Sequence, residues 1–399
     1  MTFNGNRLVA EMQEELLRIL EFWSTKAVDE EFGGFVGQID GMGSVVPNAT
    51  KGAVLNARIL WTFSAAFRQT GNERYRLMAD RAYRFLNTCF WDKTNGGLFW
   101  ETDYSGHPTN TRKQAYAQGF GLYAYAEYYR AGGSTESLNY AQKLFNLLEE
   151  KFLDTKNGGY IEALSADWQP LDDMRLSAKD ANSPKSMNTH LHLLEPYTNL
   201  YRAWPNERLK SRILDLIDIF QTRIIDPKTG HFNLFFDWDW TVQSTIVSYG
   251  HDIEGAWLLH EAALETGNKA VIDRVRQTAI RLVDTTLNEG LAADGTLRYE
   301  REGAHVDTDR HWWPQAEAMV GLMDAWEIIP NDNYLQRLQT IWAFVKNKLV
   351  DHEKGEWFWS VDAQGNPNLL NDKAGFWKCP YHNSRALMEL ITRLSGFKN

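Results

Sequence analysis

Residues 93–101 read KTNGGLFWE, a glycine turn followed by apolar residues, and variants of this stretch recur along the chain. The six copies are EEFGGFVG at Gly34, KTNGGLFWE at Gly97, KNGGYIEA at Gly159, KTGHFNLFF at Gly230, DGTLRYE at Gly295 and EKGEWFWSV at Gly355. Their intervals of 63, 62, 71, 65 and 60 residues indicate an internally repeated fold. Glycine supplies the positive φ of a tight turn, and the apolar residues after it predict a short strand or hairpin.

Two helical patterns occupy each interval. Those before the glycine turns have a charged face, as in AEMQEELLRILEFW, and predict exposed helices. Those after the turns are apolar nearly all round, as in AYAQGFGLYAYAEYY, and predict buried helices. The exposed set spans roughly 6–25, 73–90, 134–153, 206–224, 268–288 and 332–350, and the buried set roughly 52–68, 113–131, 187–203, 251–266, 312–327 and 380–395.

This alternation predicts an all-α fold, a single (α/α)6 barrel of about twelve helices in which the buried set forms the inner ring. All six glycine turns join an exposed helix to the next buried one, so they and their short hairpins should lie on one face. The inner helices begin at that face, and their unpaired N–H groups and positive dipole ends should line a cavity there. No Pro- or Ser-rich linker interrupts the pattern, so residues 1–399 are expected to form one catalytic domain.

Composition excludes several classes of function. The formal net charge is −10 and no run of Lys or Arg occurs, which argues against a nucleic acid or a membrane as partner. Two cysteines build no disulfide framework, and no apolar stretch approaches the roughly 20 residues that cross a bilayer. The first residues, MTFNGNRLVAEMQEEL, lack a signal-peptide pattern, so a cytoplasmic protein is expected. The 16 Trp residues fit either a large core or a sugar-binding cavity, and no pattern indicates an oligomeric state.

Polar and aromatic side chains are concentrated near the predicted starts of the buried helices, beside the expected cavity. They are Arg58, Tyr116, Asn188, His192, His251, Glu254, Trp313, Glu317, Trp377 and His382. Helical spacing puts Asn188 and His192 on one face and turns His190 away, so His192 is assigned to the cavity and His190 to packing. His251 and Glu254 share a face at i,i+3, and Glu254 is therefore expected to hold the tautomer of His251.

Each of these residue types also has a structural interpretation. A single histidine is more often hydrogen-bonded in a core, but three histidines at corresponding positions of three repeats favour a catalytic cluster. The two glutamates suit either substrate orientation or pairing with Arg58 or Arg385. The two tryptophans suit either stacking on a sugar or core packing.

The longest connection lies between the third glycine turn and the third buried helix. Residues 165–186, SADWQPLDDMRLSAKDANSPKS, have little periodicity, which is typical of a lid or binding loop. Asp180 in this loop is either a substrate contact or a solvated carboxylate. No H-E-x-x-H, C-x-x-C or phosphate-binding glycine motif occurs, so neither a metal nor a cofactor is predicted.

Four long strings carry a resemblance to a known family. They are NTHLHLLEPYTNLYR from 188, GHDIEGAWLL from 250, WWPQAEAMVG from 312 and FWKCPYHNSRA from 376. Through them the chain resembles the N-acylglucosamine 2-epimerase superfamily, and within it the cellobiose 2-epimerases, over essentially its whole length. Pro196 and Pro314 depart from the usual pattern and weaken inference about substrate size.

The resemblance implies the same barrel, with His251 and His382 as the acid/base pair and His192 helping at the carbonyl and ring oxygen. It implies substrate contacts from Arg58, Tyr116, Asp180, Asn188, Glu254, Trp313, Glu317 and Trp377. The implied reaction inverts C2 of the reducing-end glucose or mannose unit of a β-1,4-linked disaccharide such as cellobiose, lactose or mannobiose.

The residue types suit this chemistry independently. Histidine is able to remove and return the C2 proton because its unperturbed pKa of about 6.5 lies near neutral pH. Arg58 is expected to polarise the oxyanion that develops in the enediolate.

Several alternatives remain open. A free mannose or glucose 2-epimerase, an aldose–ketose isomerase and an N-acylglucosamine 2-epimerase would use the same histidines. A glycoside hydrolase would use Asp180, Glu254 and Glu317 but leave three histidines without a role. A non-catalytic carbohydrate-binding protein would need the tryptophans alone.

Overall fold

The computed structural model of the chain describes residues 5–396. Two parts of the sequence lie outside this range. They are the first four residues, which belong to the N-terminal segment considered above, and the last three, which the predicted single domain includes. No helix within residues 5–396 is long and apolar enough to span a membrane.

Twelve α-helices alternate between an outer and an inner ring in this described range. The outer helices are α1 (Gly5–Thr25), α3 (Glu73–Phe85), α5 (Thr135–Leu147), α7 (Glu207–Ile219), α9 (Lys269–Gly290) and α11 (Asp332–Phe344). The inner helices are α2 (Ala53–Thr70), α4 (Ala115–Arg130), α6 (Met187–Ala203), α8 (Tyr249–Thr266), α10 (Trp312–Ile328) and α12 (Tyr381–Ser395). Each inner helix packs against the next and α12 packs against α2, which closes the ring. The predicted (α/α)6 barrel is confirmed.

Four outer helices end in a feature that the periodicity did not predict. A single π-helical turn follows α3, α5, α7 and α11, at Leu86–Phe90, Leu148–Phe152, Phe220–Ile224 and Val345–Leu349. The last residue of each of these turns is fully buried. The π turn therefore directs one more apolar side chain into the core before the chain enters the glycine hairpin.

Twelve short strands between residues 5 and 396 lie in the connections that lead from an outer helix to an inner helix. They are β1 (Lys51–Gly52), β2 (Glu101–Thr102), β3 (Pro108–Asn110), β4 (Lys113–Gln114), β5 (Ala163–Leu164), β6 (Lys185–Ser186), β7 (Phe235–Phe236), β8 (Ile246–Ser248), β9 (Glu300–Glu302), β10 (His305–Val306), β11 (Arg310–His311) and β12 (Ser360–Val361). The antiparallel pairs β1–β2, β4–β5, β6–β7, β8–β9 and β11–β12 each join one repeat to the next. A bridge between Ile39 and Ala374 joins the first repeat to the last. The hairpins thus form a belt around one face of the barrel, as predicted.

In five repeats an ion pair joins the glycine turn to the segment that precedes the inner helix, and the cation of each pair is buried. The pairs are Lys51–Asp29 at 2.6 Å, Lys113–Asp92 at 2.9 Å, Lys185–Asp154 at 2.7 Å, Arg310–Asp294 at 3.0 Å and Lys373–Asp351 at 2.7 Å. Asp92 also accepts the backbone N–H groups of Thr94 and Asn95 within the turn. Gly97 closes the turn at φ 72°, where an added Cβ would lie 2.8 Å from Gln118 and from Trp168. The cavity face is therefore held by charge pairing and close packing together.

We expect Lys113→Met to lower the free energy of unfolding by about 3–5 kcal/mol, because the buried Asp92 carboxylate loses its cation. Urea denaturation followed by circular dichroism measures the change. Lys269→Met is the matched control, because Lys269 pairs with Asp273 at the same kind of distance, 2.7 Å, but is 87% exposed. Equal losses in both variants would show that the buried pairs do not hold the turns.

Candidate active site

The site residues predicted from the sequence converge where the inner helices begin. Asn188, His251 and Trp377 are partly exposed, whereas Glu254 and Glu317 are fully buried. The cavity therefore runs from an open mouth to a charged floor. A surface groove of about 650 Å³ beside α1 and α3, on the outer ring, contains none of these side chains.

The floor of the cavity is built around the buried guanidinium of Arg385. Its Nη2 donates to Glu254 Oε1 at 2.8 Å and to Glu317 Oε1 at 2.7 Å. Its Nη1 donates to Glu195, which also accepts the hydroxyl of Tyr381. Pairing of the glutamates with Arg385, one of the two alternatives posed by the sequence, is what the structure shows.

The three carboxylates respond differently to this environment. Burial acts to raise the pKa of Glu195, but the charge of Arg385 and the hydrogen bonds with His192 and Tyr381 together outweigh it and hold that pKa at about 2. Burial and the neighbouring Glu317 raise the pKa of Glu254 well above its ordinary value. The pKa of Glu317 is raised too, chiefly by burial, but Glu317 accepts bonds from both Arg385 and His382. The pKa of Glu254 is thus raised more strongly than that of Glu317.

Two of the three histidines are held by these carboxylates. His382 Nδ1 lies 2.7 Å from Glu317 Oε1, and His192 Nδ1 lies 3.2 Å from Glu195 Oε2. A carboxylate partner places the proton on Nδ1, which leaves Nε2 of each ring as the free nitrogen. Burial lowers the pKa of both rings, most strongly that of His382, where the positive charges of Arg58 and Arg385 add to the effect.

His251 is held differently from the expectation. Its Nδ1 lies 2.8 Å from the hydroxyl of Ser248, so Glu254 does not fix its tautomer. Glu254 instead accepts a hydrogen bond from Arg385 on Oε1. Burial lowers the pKa of His251 as well. The ring packs 4.7 Å from Trp313, whose other neighbour is His382 at 5.7 Å, so both histidines border the same indole.

The wall of the cavity is aromatic and basic. Arg58 Nη2 donates to the Tyr116 hydroxyl at 2.9 Å, and its guanidinium lies 4.2 Å from the ring of Phe120. Tyr116 also contacts His192, at 5.2 Å, and Trp377, at 5.9 Å between ring centres.

Four buried polar atoms of these site residues lack a hydrogen-bond partner among residues 5–396. They are Arg58 Nε, Asn188 Oδ1, Glu254 Oε2 and Arg385 Nε. Buried polar groups are almost always satisfied in folded proteins, so these atoms are available to bind a polar ligand or water.

The long connection carries Asp180 between β5 and β6. The Asp180 carboxylate accepts the backbone N–H of Ser177 at 2.9 Å, and the side chain is half-buried. This excludes a fully solvated carboxylate, while contact with a substrate remains a prediction. His190, assigned to packing, accepts the backbone N–H of Tyr160 at 2.9 Å and contacts Trp240, as expected.

Two further features of the site differ from the sequence interpretation. The histidines do not occupy corresponding positions, since His192, His251 and His382 follow the N-cap residues Ser186, Ser248 and Pro380 by different numbers of residues. Sequence reasoning also did not select Ser248 or Tyr381 for the site, gave Glu195 no role, and named Arg385 only as a possible partner of the glutamates. The signal for Ser248 was present, because a residue at i−3 shares a helix face as readily as one at i+3.

The cluster of Glu254, Glu317 and His382 has ligand atoms within 4.8 Å of one another, a spacing that suits a cation. Arg385 already donates to both of these carboxylates. The guanidinium therefore supplies positive charge to this acidic cluster.

We expect Arg385→Gln to lower the free energy of unfolding at pH 7 by about 3–5 kcal/mol, because three carboxylates lose a buried cation. Without Arg385 the folded-state pKa values of Glu254 and Glu317 rise further above the unfolded value. A carboxyl group whose pKa is higher in the folded than in the unfolded state stabilises the folded state fully only at a pH below its pKa in the unfolded state. This stabilisation is lost as the pH rises through its pKa in the folded state. The deficit relative to the unmodified protein should therefore shrink as the pH falls from 8 to 5. Urea unfolding across this range tests it, with Arg76→Gln, an exposed Arg–Glu pair, as control. A deficit independent of pH would contradict the assignment.

Comparison with known proteins places this geometry in a family. The chain matches the N-acylglucosamine 2-epimerase (GlcNAc 2-epimerase) family over residues 33–386. It is similar to the cellobiose 2-epimerase of Bacteroides fragilis, with 48% identity over 387 residues, 96% of this chain and 98% of that protein. The cellobiose 2-epimerase of Dictyoglomus turgidum is 38% identical, and the match covers 94% of this chain and 96% of that protein. The solved structure of cellobiose 2-epimerase from Bacillus thermoamylovorans B4167 has a TM-score of 0.94 at 41% identity, covering 97% of this chain and 100% of that one. A family match over most of the chain and full-length relatives at this identity confirm the resemblance seen in the four sequence strings: the chain belongs to the N-acylglucosamine 2-epimerase family.

Proposed function

We propose that this protein is an isomerase that inverts C2 of the reducing-end glucose or mannose unit in β-1,4-linked disaccharides such as cellobiose, lactose and mannobiose. The observation that carries the proposal is the placement of His251 and His382 beside one indole, that of Trp313, at the end of a cavity with unpaired buried polar atoms. Cellobiose 2-epimerases similar over nearly the whole chain support the choice of substrate.

The histidine pair supplies the proton transfers of the proposed reaction. One ring accepts the C2 proton of the open-chain aldose on Nε2, which leaves an enediolate. The other ring enters the cycle protonated and returns a proton to the opposite face of C2. Because burial lowers the pKa of both rings, the one that carries the extra proton is a strong acid, which favours its transfer to carbon. The direction of the reaction decides which ring acts first.

The partners of the two rings suit these roles. The Glu317 carboxylate stabilises His382 in its charged form and keeps its Nε2 directed at the cavity. The Ser248 hydroxyl oxygen is able to accept the Nδ1 proton of His251, which leaves Nε2 unprotonated in the neutral ring. His251 is therefore able to gain and lose a proton at Nε2 without losing this hydrogen bond.

The remaining residues bind the sugar and the charge that develops on it. Arg58, whose Nε has no partner in the protein, is suited to the enediolate oxygens. His192 assists at the carbonyl and ring oxygen, and Asn188 and Glu254 offer their unpaired oxygens to hydroxyl groups. Trp313 and Trp377 present ring faces to the pyranose, and Asp180 contacts substrate from the connection that precedes α6.

Incubation with cellobiose, followed by separation and NMR identification of the products, tests the proposed function. Glucosyl-mannose with an intact glycosidic bond is expected. Glucosyl-fructose would indicate an aldose–ketose isomerase, and free glucose a glycoside hydrolase. Turnover of free mannose or glucose without turnover of any disaccharide would refute the assignment of the substrate.

We expect His251→Ala and His382→Ala each to lower kcat by at least about a hundredfold, because general acid–base steps typically contribute about 10²–10⁴-fold. Circular dichroism should show that both variants keep their helices. His107→Ala, which removes a histidine whose side chain is 83% exposed, is the control and should leave kcat unchanged. Near-normal turnover in either active-site variant would remove that histidine from the acid/base pair.

A further inference from the structure

The fourth, fifth and sixth repeats lack glycine at the second residue of the glycine turn, and of these only the sixth places its residue in the left-handed region of φ. Gly34, Gly97 and Gly159 occupy this place in the first three repeats, with φ of 64°, 72° and 77°. In the sixth repeat it is Glu356, which adopts a φ of 62°. A side chain is rarely found in this left-handed region, and such strain persists only where surrounding contacts impose it.

The Glu356 carboxylate is fully buried and every contact it makes is with a donor. Its Oε1 accepts Lys378 Nζ at 2.9 Å, Asn383 Nδ2 at 2.6 Å and the backbone N–H of Trp357 at 2.8 Å. Its Oε2 accepts the indole N–H of Trp23, on α1, at 2.5 Å. One side chain thus connects the last glycine turn with the first helix and with the start of the last helix.

These contacts exceed what the repeat needs for its fold. The usual ion pair is present in the sixth repeat as well, since Lys373 binds Asp351 at 2.7 Å and the Gly355 carbonyl at 2.9 Å. Lys113 makes the same two contacts in the second repeat, with Asp92 and the Gly96 carbonyl. Lys378 and Glu356 form a second buried pair, 2.9 Å apart, in addition to this shared one.

Glu356 binds both ends of the segment that carries His382. Lys378 and Asn383 lie at the two ends of residues 378–383, and His382 lies inside this segment. Trp377, assigned to sugar stacking, directly precedes it. The helix that begins here, α12, has no side-chain cap at its N-cap residue Pro380. The start of this helix is held instead by the Glu356 carboxylate, which accepts a hydrogen bond from the side chain of Asn383.

We propose that Glu356 is a positioning residue that sets the place of His382 for the proton transfer at C2, and that its strained backbone is retained for this purpose. The inference rests on the proposed function for its kinetic consequence. Its structural part, that Glu356 fixes the His382 ring, stands without it.

The test uses Glu356→Gln in the full-length protein. The variant keeps the size of the side chain but removes the charge opposite Lys378 and turns one oxygen into a donor facing other donors. We expect kcat on cellobiose to fall by at least about tenfold, since small misplacements of a catalytic group carry costs of this order. KM should change less than about threefold, because the sugar-binding side chains are not bound by Glu356.

Glu15→Gln is the matched control. Glu15 is also buried on α1, and it accepts the indole N–H of Trp357 at 2.9 Å, so it links the same two parts of the barrel without touching residues 378–383. Glu15→Gln should leave kcat unchanged, whatever its effect on the unfolding midpoint. Asn383→Ala removes only one contact of Glu356 and should reproduce the selective fall in kcat even if Glu356→Gln does not fold.

A histidine-selective ¹⁵N spectrum reports the geometry without any substrate, with the His382 signal assigned by its loss in His382→Ala. This signal should shift in Glu356→Gln and in Asn383→Ala and stay in place in Glu15→Gln. If the unmodified protein turns over no sugar, the proposed function fails, but the spectrum still tests the positioning. An unshifted His382 signal in both variants, or kcat losses equal to those of Glu15→Gln, would overturn the proposal.

Discussion

The buried guanidinium of Arg385 is the interaction on which the active-site cavity depends. Three glutamates meet at the base of the inner ring, and moving that many carboxylates out of water is too costly unless a cation lies among them. Arg385 bonds to all three. It binds Glu195 and Glu317, which in turn hold Nδ1 of His192 and of His382, so the orientation of both histidines depends on it. Glu254 is left with a raised pKa and with one oxygen, Oε2, that has no hydrogen-bond partner and lies 4.0 Å from His192 Nε2.

The repeated elements and the catalytic side chains have separate roles. Glycine turns, buried ion pairs and strand pairs recur around the barrel and fix where each inner helix begins. The catalytic side chains do not follow that repetition: the three histidines occupy different places in their helices, and each has a different partner, Glu195, Ser248 or Glu317. The sixth repeat adds a second buried pair to the shared one, and it is the repeat that carries His382. A repeated frame thus carries a site without repeat symmetry. The proposed inversion of C2 requires such a site, because a different histidine acts on each face of the carbon.

Much of this arrangement is readable from the sequence, and the limits have physical causes. Hydrophobic periodicity assigns the helices to the correct ring, because a helix buried on all sides and a helix buried on one side have different patterns of apolar residues. The π turns were not predicted, because one extra residue in a single turn hardly changes the pattern of apolar residues. The partner of His251 was predicted wrongly because spacing shows which residues share a face, not which of two neighbours forms the bond. Ser248 and Glu254 are both three residues away from His251, but Ser248 bonds to the ring while Glu254 bonds to Arg385, from a distant part of the chain.

The central claim is that a histidine removes the proton from C2 of the sugar and that a histidine restores one on the opposite face. The most direct measurement is to incubate the protein with cellobiose in D2O and to follow the hydrogen on each sugar carbon by NMR. An imidazole at an accessible cavity exchanges its proton with solvent quickly, so the account predicts glucosyl-mannose that carries deuterium at C2, with the glycosidic bond intact. If cellobiose, lactose, mannobiose and their monosaccharides all fail to exchange any carbon-bound hydrogen, the proton-transfer mechanism is contradicted.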